Sequence, residues 1–181
     1  MSLAFLSSQR SKDPATQVGA VIVNTSRQII GTGYNGFPHG CSDDDLPWEK
    51  VGDWADTKYP YGKLEASYQI LLYFSVCHAE MNAILNKNTA DCTGATIYTT
   101  LFPCNECSKL IIQSRIKRVV YAHRKTNGNP VFTTSERLLE MAKIETVEFE
   151  SKNQVNTEPS VMNTNFKYWK KLKFLDGSNR P

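Results

Sequence analysis

From about Cys77 onward the sequence switches repeatedly between helical and strand periodicity, and this alternation limits the fold more than any other feature. The pattern predicts a helix from about Cys77, the strand ATIYTT, a helix from about Cys104 carrying Leu110, Ile111 and Ile112, the strand RVVYA, a helix over TSERLLEMA and the strand ETVEFE. Such a run builds an α/β domain: a mixed sheet covered by helices on both faces, with parallel neighbours joined through crossover helices. Upstream, FLSSQR reads as the end of a helix that begins almost at the first residue. VGAVIVN is a β-branched run short enough for a buried strand, and IIGTGY forms a hairpin with it through a turn at Thr25, Ser26 and Arg27. Residues 35–75 are rich in Gly, Pro, Asp and aromatics without sustained periodicity and read mainly as a long loop, a length that usually serves a site.

With 181 residues and 40% hydrophobic content, one compact domain with its own core is expected, over residues 1–150, followed by a divergent polar tail at 151–181. No apolar run approaches bilayer-spanning length, and MSLAFLSSQRSKDP has no basic region ahead of its short apolar patch, so the expectation is a cytoplasmic protein with no membrane partner. The formal charge of +3 suits anionic small molecules or weak nucleic-acid binding and demands neither. Five cysteines is an odd number, and the spacing Cys104-Asn105-Glu106-Cys107 in a reducing compartment favours metal or redox chemistry over structural disulfides.

Cys104 and Cys107 are three apart, which puts both thiols on one face of a helix's first turn, and Pro103 suits the entry to that helix. The positive end of the helix dipole favours the thiolate, the form that coordinates zinc. A structural zinc takes four protein ligands, whereas a catalytic one takes three and leaves a position for water. His78, at another predicted helix start, supplies the third ligand. Glu80 lies two residues on, in an otherwise apolar stretch with Ala79, Met81, Ala83, Ile84 and Leu85, where an uncompensated carboxylate is costly to bury. Residues two apart do not share a helix face, so His78 can bind the metal from one direction while Glu80 handles the proton of the water from another. Either motif alone says little, since a lone C-x-x-C is often structural or redox. Together, His-x-Glu followed by Pro-Cys-x-x-Cys is the known pattern of the zinc nucleobase deaminases.

The stretches QRSKDPATQVGAVIVN, GTGYNGFPHGCSDDDLPW, DTKYPY, VCHAEMNAILNKN and LFPCNECSKLIIQSRIK resemble the deoxycytidylate (dCMP) deaminases of the eukaryotic type, within the zinc-dependent cytidine/deoxycytidylate deaminase family. The resemblance covers most of residues 3–144. It implies a cytidine deaminase-like three-layer α/β/α sandwich around a central mixed five-stranded sheet. It also implies hydrolysis of dCMP to dUMP for thymidylate synthesis, activation by dCTP, inhibition by dTTP, and a homo-oligomer, commonly a hexamer. Carried over residue by residue, it gives His78, Cys104 and Cys107 as zinc ligands, Glu80 as proton shuttle, and Asn35 as a contact to sugar and pyrimidine. An amide at a strand end can donate and accept at once, which suits that role. The loop over residues 33–45, with Gly36, Asp43 and Asp44, resembles the part that contributes to the effector site.

A phosphate needs cationic or donor groups at the pocket mouth, for which Arg10, Lys12, Lys109 and Lys125 are the candidates. HRKTNG stands where relatives can place a tyrosine just after the fourth strand. Cys41, Cys77 and Cys92 read as small core or near-surface residues, and His39 and His123 as loop residues. GKLEASYQILLYFS, residues 62–75, separates two stretches that adjoin in relatives and reads as an insertion.

Two other readings have support. A deaminase acting on tRNA or single-stranded DNA would use the interleaved lysines and aromatics of NFKYWKKLKF, although the same spacing suits an ordinary amphipathic helix, and nucleic acid is the less expected partner. A non-catalytic zinc module would take Cys77 or Cys41 as fourth ligand and would leave Glu80 without a purpose.

Overall fold

In the computed structural model, which describes residues 1–14, 16–41, 76–125 and 130–150, the β-branched runs form one five-stranded sheet. The chain order is α1 (Ser2–Ser8), β1 (Gly19–Val23), β2 (Ile29–Tyr34), α2 (Ala79–Leu85), β3 (Thr96–Leu101), α3 (Asn105–Gln113), β4 (Arg118–His123), α4 (Pro130–Met141) and β5 (Glu145–Glu148). The strands lie in the order β2-β1-β3-β4-β5. β1 is antiparallel to both β2 and β3, while β3, β4 and β5 run parallel, joined through α3 and α4. This is the mixed sheet that the alternation of periods requires.

Side chains on β1 alternate between two helical layers. Ala20 and Ile22, in register with Gly33 and Gly31 of β2 and with Thr99 and Ile97 of β3, face α2. Gly19 faces the other way, where a Cβ would lie 2.0 Å from the Ala4 carbonyl oxygen of α1. On the α2 side a Cβ at Gly33 would lie 2.2 Å from the Ala79 carbonyl oxygen, so the backbone of α2 rests directly on β2. α3 packs on α2 and on α4, which puts α2, α3 and α4 on one face and α1 on the opposite one. Between the sheet and the three-helix layer, Ile22, Ile97, Phe102, Ile111, Ile116, Val119 and Leu139 are fully buried. Each such side chain contributes about 1.5–3 kcal/mol by leaving water.

A short polar link joins α3 to α4 inside this core. Ser135 Oγ donates to the Pro103 carbonyl at 2.7 Å and lies 2.6 Å from Ser108 Oγ. With the Ser135 proton used on Pro103, the Ser108 hydroxyl is the donor of the second bond. The bonds fix the turn from which α3 starts.

Three local expectations need correction. The helix expected from Cys77 begins at Ala79, because Cys77 is drawn into a backbone bridge with Gly36 (Gly36 N–H to Cys77 O, 3.1 Å; Cys77 N–H to Gly36 O, 2.8 Å) and His78 becomes the N-cap. α4 starts at Pro130, about one turn before the expected TSERLLEMA, since proline at a helix's first position loses no hydrogen bond. His123 is the last residue of β4 and not a loop residue; its ring meets Phe5 edge-on at 6.1 Å. Residues 62–75, read as an insertion, and the tail at 151–181 lie outside the described residues. Among the described residues no helix is long and apolar enough to cross a membrane.

Candidate active site

Two helix starts meet at the site. His78 is the N-cap of α2 and Cys104 the N-cap of α3, both with extended backbone (ψ 156° and 172°), so their side chains leave the helix ends toward each other. Cys107 follows in the first turn of α3 and is fully buried. His78 Nδ1 lies 3.3 Å from Cys104 Sγ and 3.3 Å from Cys107 Sγ. Around a tetrahedral zinc, with Zn–S of about 2.3 Å and Zn–N of about 2.0–2.1 Å, a sulfur and a nitrogen ligand stand roughly 3.6 Å apart. The three donor atoms all lie within 4.8 Å of one another, and the set of one imidazole and two thiols is the soft borderline set that zinc takes. Among the described residues the group holds three ligands; neither Cys41, which is exposed, nor Cys77 belongs to it. The residues present therefore fit a three-ligand zinc.

Glu80, in the first turn of α2, is only 4% exposed, and its Oε2 accepts from Cys107 Sγ at 3.6 Å. Burial pushes its carboxyl above the usual carboxylate range, with His78 acting in the opposite sense. The two thiols divide their charge. Cys104 is pulled down to about 4, chiefly by the hydrogen bond that Cys107 donates to it. Cys107 is pushed well up by that same bond, by its burial and by the Glu80 carboxylate.

Asn35 follows β2 and is 2% exposed. Its Oδ1 accepts from the Val18 N–H at 2.8 Å, and its Nδ2 donates to Asp13 Oδ2 at 3.1 Å and to the Thr16 carbonyl at 3.0 Å. Gly36, next to it, makes the bridge to Cys77 and so places Asn35 near the chain entering His78. Asn82 Nδ2 adds a 2.8 Å bond to the Tyr34 carbonyl, tying α2 to the same strand end. The cationic candidates are spread. Arg10 is exposed, with its guanidinium 5.1 Å from the Tyr34 ring centre. Lys12 is exposed, and Lys125 is half-buried just past β4. Lys109 is exposed and pairs with Glu106 at 2.7 Å. Asp43 and Asp44 lie outside the described residues.

Two residues escaped the sequence reading. Asp13 is 7% exposed and contacts Asn35; its only local signal is the Asp-Pro turn, in which its Oδ1 accepts from the Thr16 N–H at 3.0 Å. Arg124, at the end of β4, forms a two-pronged ion pair with Glu136 of α4 and lies 4.8 Å from the Phe102 ring centre.

Residues 1–123 match the family model for the cytidine and deoxycytidylate deaminase zinc-binding region. The chain is 47% identical over 169 residues to mouse deoxycytidylate deaminase, covering 88% of this chain and 87% of that one. It is 50% identical over 145 residues to human deoxycytidylate deaminase, covering 80% and 74%. Among solved structures, the dCMP deaminase of cyanophage S-TIM5 in complex with dCMP and dUMP superposes with a TM-score of 0.59 at 25% identity, covering 82% of this chain and 92% of that one. The chain belongs to the cytidine and deoxycytidylate deaminase family, has its fold, and is a hydrolytic deaminase.

Proposed function

We propose that the protein hydrolyses dCMP to dUMP and ammonia with one zinc ion held by His78, Cys104 and Cys107. The observation that carries this reading is Glu80, a buried carboxylate set against a group of three metal-ligating side chains, one fewer than a structural zinc takes. A zinc bound there supplies an acidified water at neutral pH. Glu80 accepts the proton of that water at a carboxylate oxygen and passes it on to the pyrimidine. The water oxygen bonds to C4, its second proton passes by way of Glu80 to the exocyclic nitrogen, the bond from C4 to that nitrogen breaks, and the nitrogen leaves as ammonia while C4 keeps the oxygen as a carbonyl. A carboxyl raised by burial suits this work, since it takes a proton readily and returns it. The relatives named above, which act on deoxycytidylate, support a 2′-deoxy monophosphate as substrate. Asn35 is the contact to the nucleoside in this reading, and Arg10, Lys12, Lys109 and Lys125 are the cationic candidates for its phosphate.

The product dUMP would feed thymidylate synthesis, with dCTP activating and dTTP inhibiting through the loop that includes Gly36, Asp43 and Asp44, in a homo-oligomer, expected as a hexamer, in the cytoplasm. The test is ammonia release from dCMP, CMP, deoxycytidine and a single-stranded oligonucleotide, each with and without dCTP. Turnover of dCMP well above the other three, increased by dCTP, is expected. Deoxycytidine or the oligonucleotide processed as fast as dCMP would overturn the substrate assignment.

A further inference from the structure

The sheet has two ends. His78, Cys104 and Cys107 meet at the one where β3 closes and α3 begins; at the other, β3, β4 and β5 start, beside the turn from β1 to β2 and the C-terminal ends of α3 and α4. Backbone bonds join this far end into a row. Gly94 N–H donates to the Arg115 carbonyl, Lys117 N–H to the Ala95 carbonyl and Glu145 N–H to the Lys117 carbonyl, each at 3.0 Å. A Cβ at Gly94 would lie 3.2 Å from Thr25 Cγ2, two residues before Arg27. Arg27, Arg115, Lys117 and Lys143, all exposed, therefore stand along the row in the order of the strands. With neighbouring strands about 4.8 Å apart, the row from β1 to β5 is roughly 14 Å long.

Two observations set these cations apart. Among the described residues none of the four has an ion pair or a side-chain hydrogen bond, whereas Arg10 lies over Tyr34, Lys109 pairs with Glu106 and Arg124 with Glu136. Further, the described residues other than glycine with left-handed backbone are Arg27 (φ 62°), Arg115 (φ 59°) and Lys143 (φ 55°). Arg115 and Lys143 end α3 and α4 in the same way. Arg115 N–H donates to the Ile112 carbonyl at 3.0 Å and Ile116 N–H to that of Ile111 at 3.3 Å; Lys143 N–H donates to the Glu140 carbonyl and Ile144 N–H to that of Leu139, both at 2.9 Å. Glycine fills this Schellman ending without strain. A cation gains from the dipole at a helix end, but less than a left-handed backbone costs a residue with a Cβ, and Arg27 follows no helix. Backbone outliers of this kind gather at binding sites.

We propose that this end of the sheet is a docking surface for the phosphate backbone of a nucleic-acid duplex, with Arg27, Arg115, Lys117 and Lys143 as its phosphate contacts. The segments that form it, residues 24–29, 85–95, 113–118 and 141–145, hold no aromatic residue, so the bases of a single strand find nothing to stack on. The large apolar side chains exposed here divide between the edges of the sheet, Ile29 and Leu85 by β2 and Met141 by β5, and leave the middle of the row polar. A protein partner needs the reverse, an apolar centre inside a polar rim. One strand of a duplex carries a phosphate about every 3.4 Å along its axis, so four cations over this length match its charge density and hold it whatever its sequence.

The experiment is fluorescence anisotropy of a short labelled DNA duplex of random sequence with the zinc-loaded full chain, between about 50 and about 200 mM salt. The native chain is set beside a triple variant, Arg27→Gly with Arg115→Gly and Lys143→Gly, and beside Lys117→Gln, with Tm and metal content read for each. Glycine relieves the three left-handed turns, so the Tm of the triple variant should stay level or rise. Its affinity at the lower salt should fall on the order of tenfold or more, and the slope of log Kd against log salt should flatten by about 0.9 for each cation removed. A lower Tm with an unchanged slope means that the cations serve only their turns, and the proposal fails. An unchanged slope at unchanged Tm means that other lysines hold the duplex, which also overturns it. Lys117→Gln, outside the left-handed turns, decides the matter even where the triple variant does not fold: a slope flatter by about 0.9 is expected, and an unchanged one contradicts the assignment. Tighter binding of the same sequence as a single strand, or no binding of the duplex by the native chain at the lower salt, overturns the proposal.

Discussion

The metal corner and the Asn35 corner stand a few residues apart along the bridge from Gly36 to Cys77, yet they are built on different principles. His78, Cys104 and Cys107 sit at the first turns of two helices, and the helix starts aim them together. Asn35 follows a strand end and is oriented by groups from the segment before β1, namely Asp13, Thr16 and Val18. In the first corner the residue type carries the chemistry and regular structure supplies the geometry. In the second, an amide can act either way round, and only its buried partners decide which. Removing a ligand should therefore cost the metal, whereas changing a partner of Asn35 should leave it in place.

The largest expected effect lies in the metal corner. Cys107→Ser replaces a buried sulfur of the proposed zinc group by a hydroxyl that zinc binds poorly, and metal analysis should show the ion lost together with turnover. Asp13→Asn should keep its metal. If both variants lost metal, the contrast between the corners would collapse. Next in size is the strand on which α2 rests. Gly33→Ala forces a Cβ to within 2.2 Å of the Ala79 carbonyl, one residue from His78, so α2 must shift. A loss of about 1–3 kcal/mol, read as a lower Tm, is expected with reduced metal affinity. An unchanged Tm would mean that α2 is not pinned there.

Excision of residues 62–75 tests whether the metal corner depends on the length of chain that precedes it. Added loop length alone costs little closure entropy, and the bridge from Gly36 to Cys77 fixes the approach to His78. The shortened chain, joining Tyr61 to Val76, should bind zinc and turn over dCMP at least as well as the full chain. Loss of metal or of folding would show that the segment is an integral part of the structure.

The meeting of His78, Cys104 and Cys107 was legible because its signals are local: His-x-Glu and Pro-Cys-x-x-Cys each fall at a change of period. The sheet was legible for the same reason, as β-branched runs such as VGAVIVN and RVVYA alternate with helical ones. The exact start of α2 was not, because Cys77 is held by Gly36, a partner far off in sequence. Asp13 was missed for a similar cause. Nothing in SKDP shows that its carboxylate meets an amide 22 residues later, because that contact exists only once β1 and β2 have paired. Arg124 was hidden likewise, since its partner Glu136 lies on the following helix.

The smallest effect belongs to that last pair. Arg124 and Glu136 are both partly exposed, so Glu136→Gln should cost less than about 1 kcal/mol. Arg124 holds the Glu136 carboxyl below its ordinary value. A group lowered in the folded state stabilises above its unfolded pKa and loses that contribution as pH falls through the folded one. The Tm difference between the native chain and Glu136→Gln should thus stay level near neutrality and shrink below about pH 4. A difference that grows in acid would contradict the pairing.

In the proposed reaction Glu80 is the group that moves the proton, and Glu80→Gln removes that ability alone. The amide keeps the shape of the side chain and leaves His78, Cys104 and Cys107 in place, but it cannot accept a proton. Metal content should equal that of the native protein while dCMP turnover falls on the order of 10²–10⁴-fold. A fully metal-loaded Glu80→Gln protein with near-native turnover would contradict the central claim.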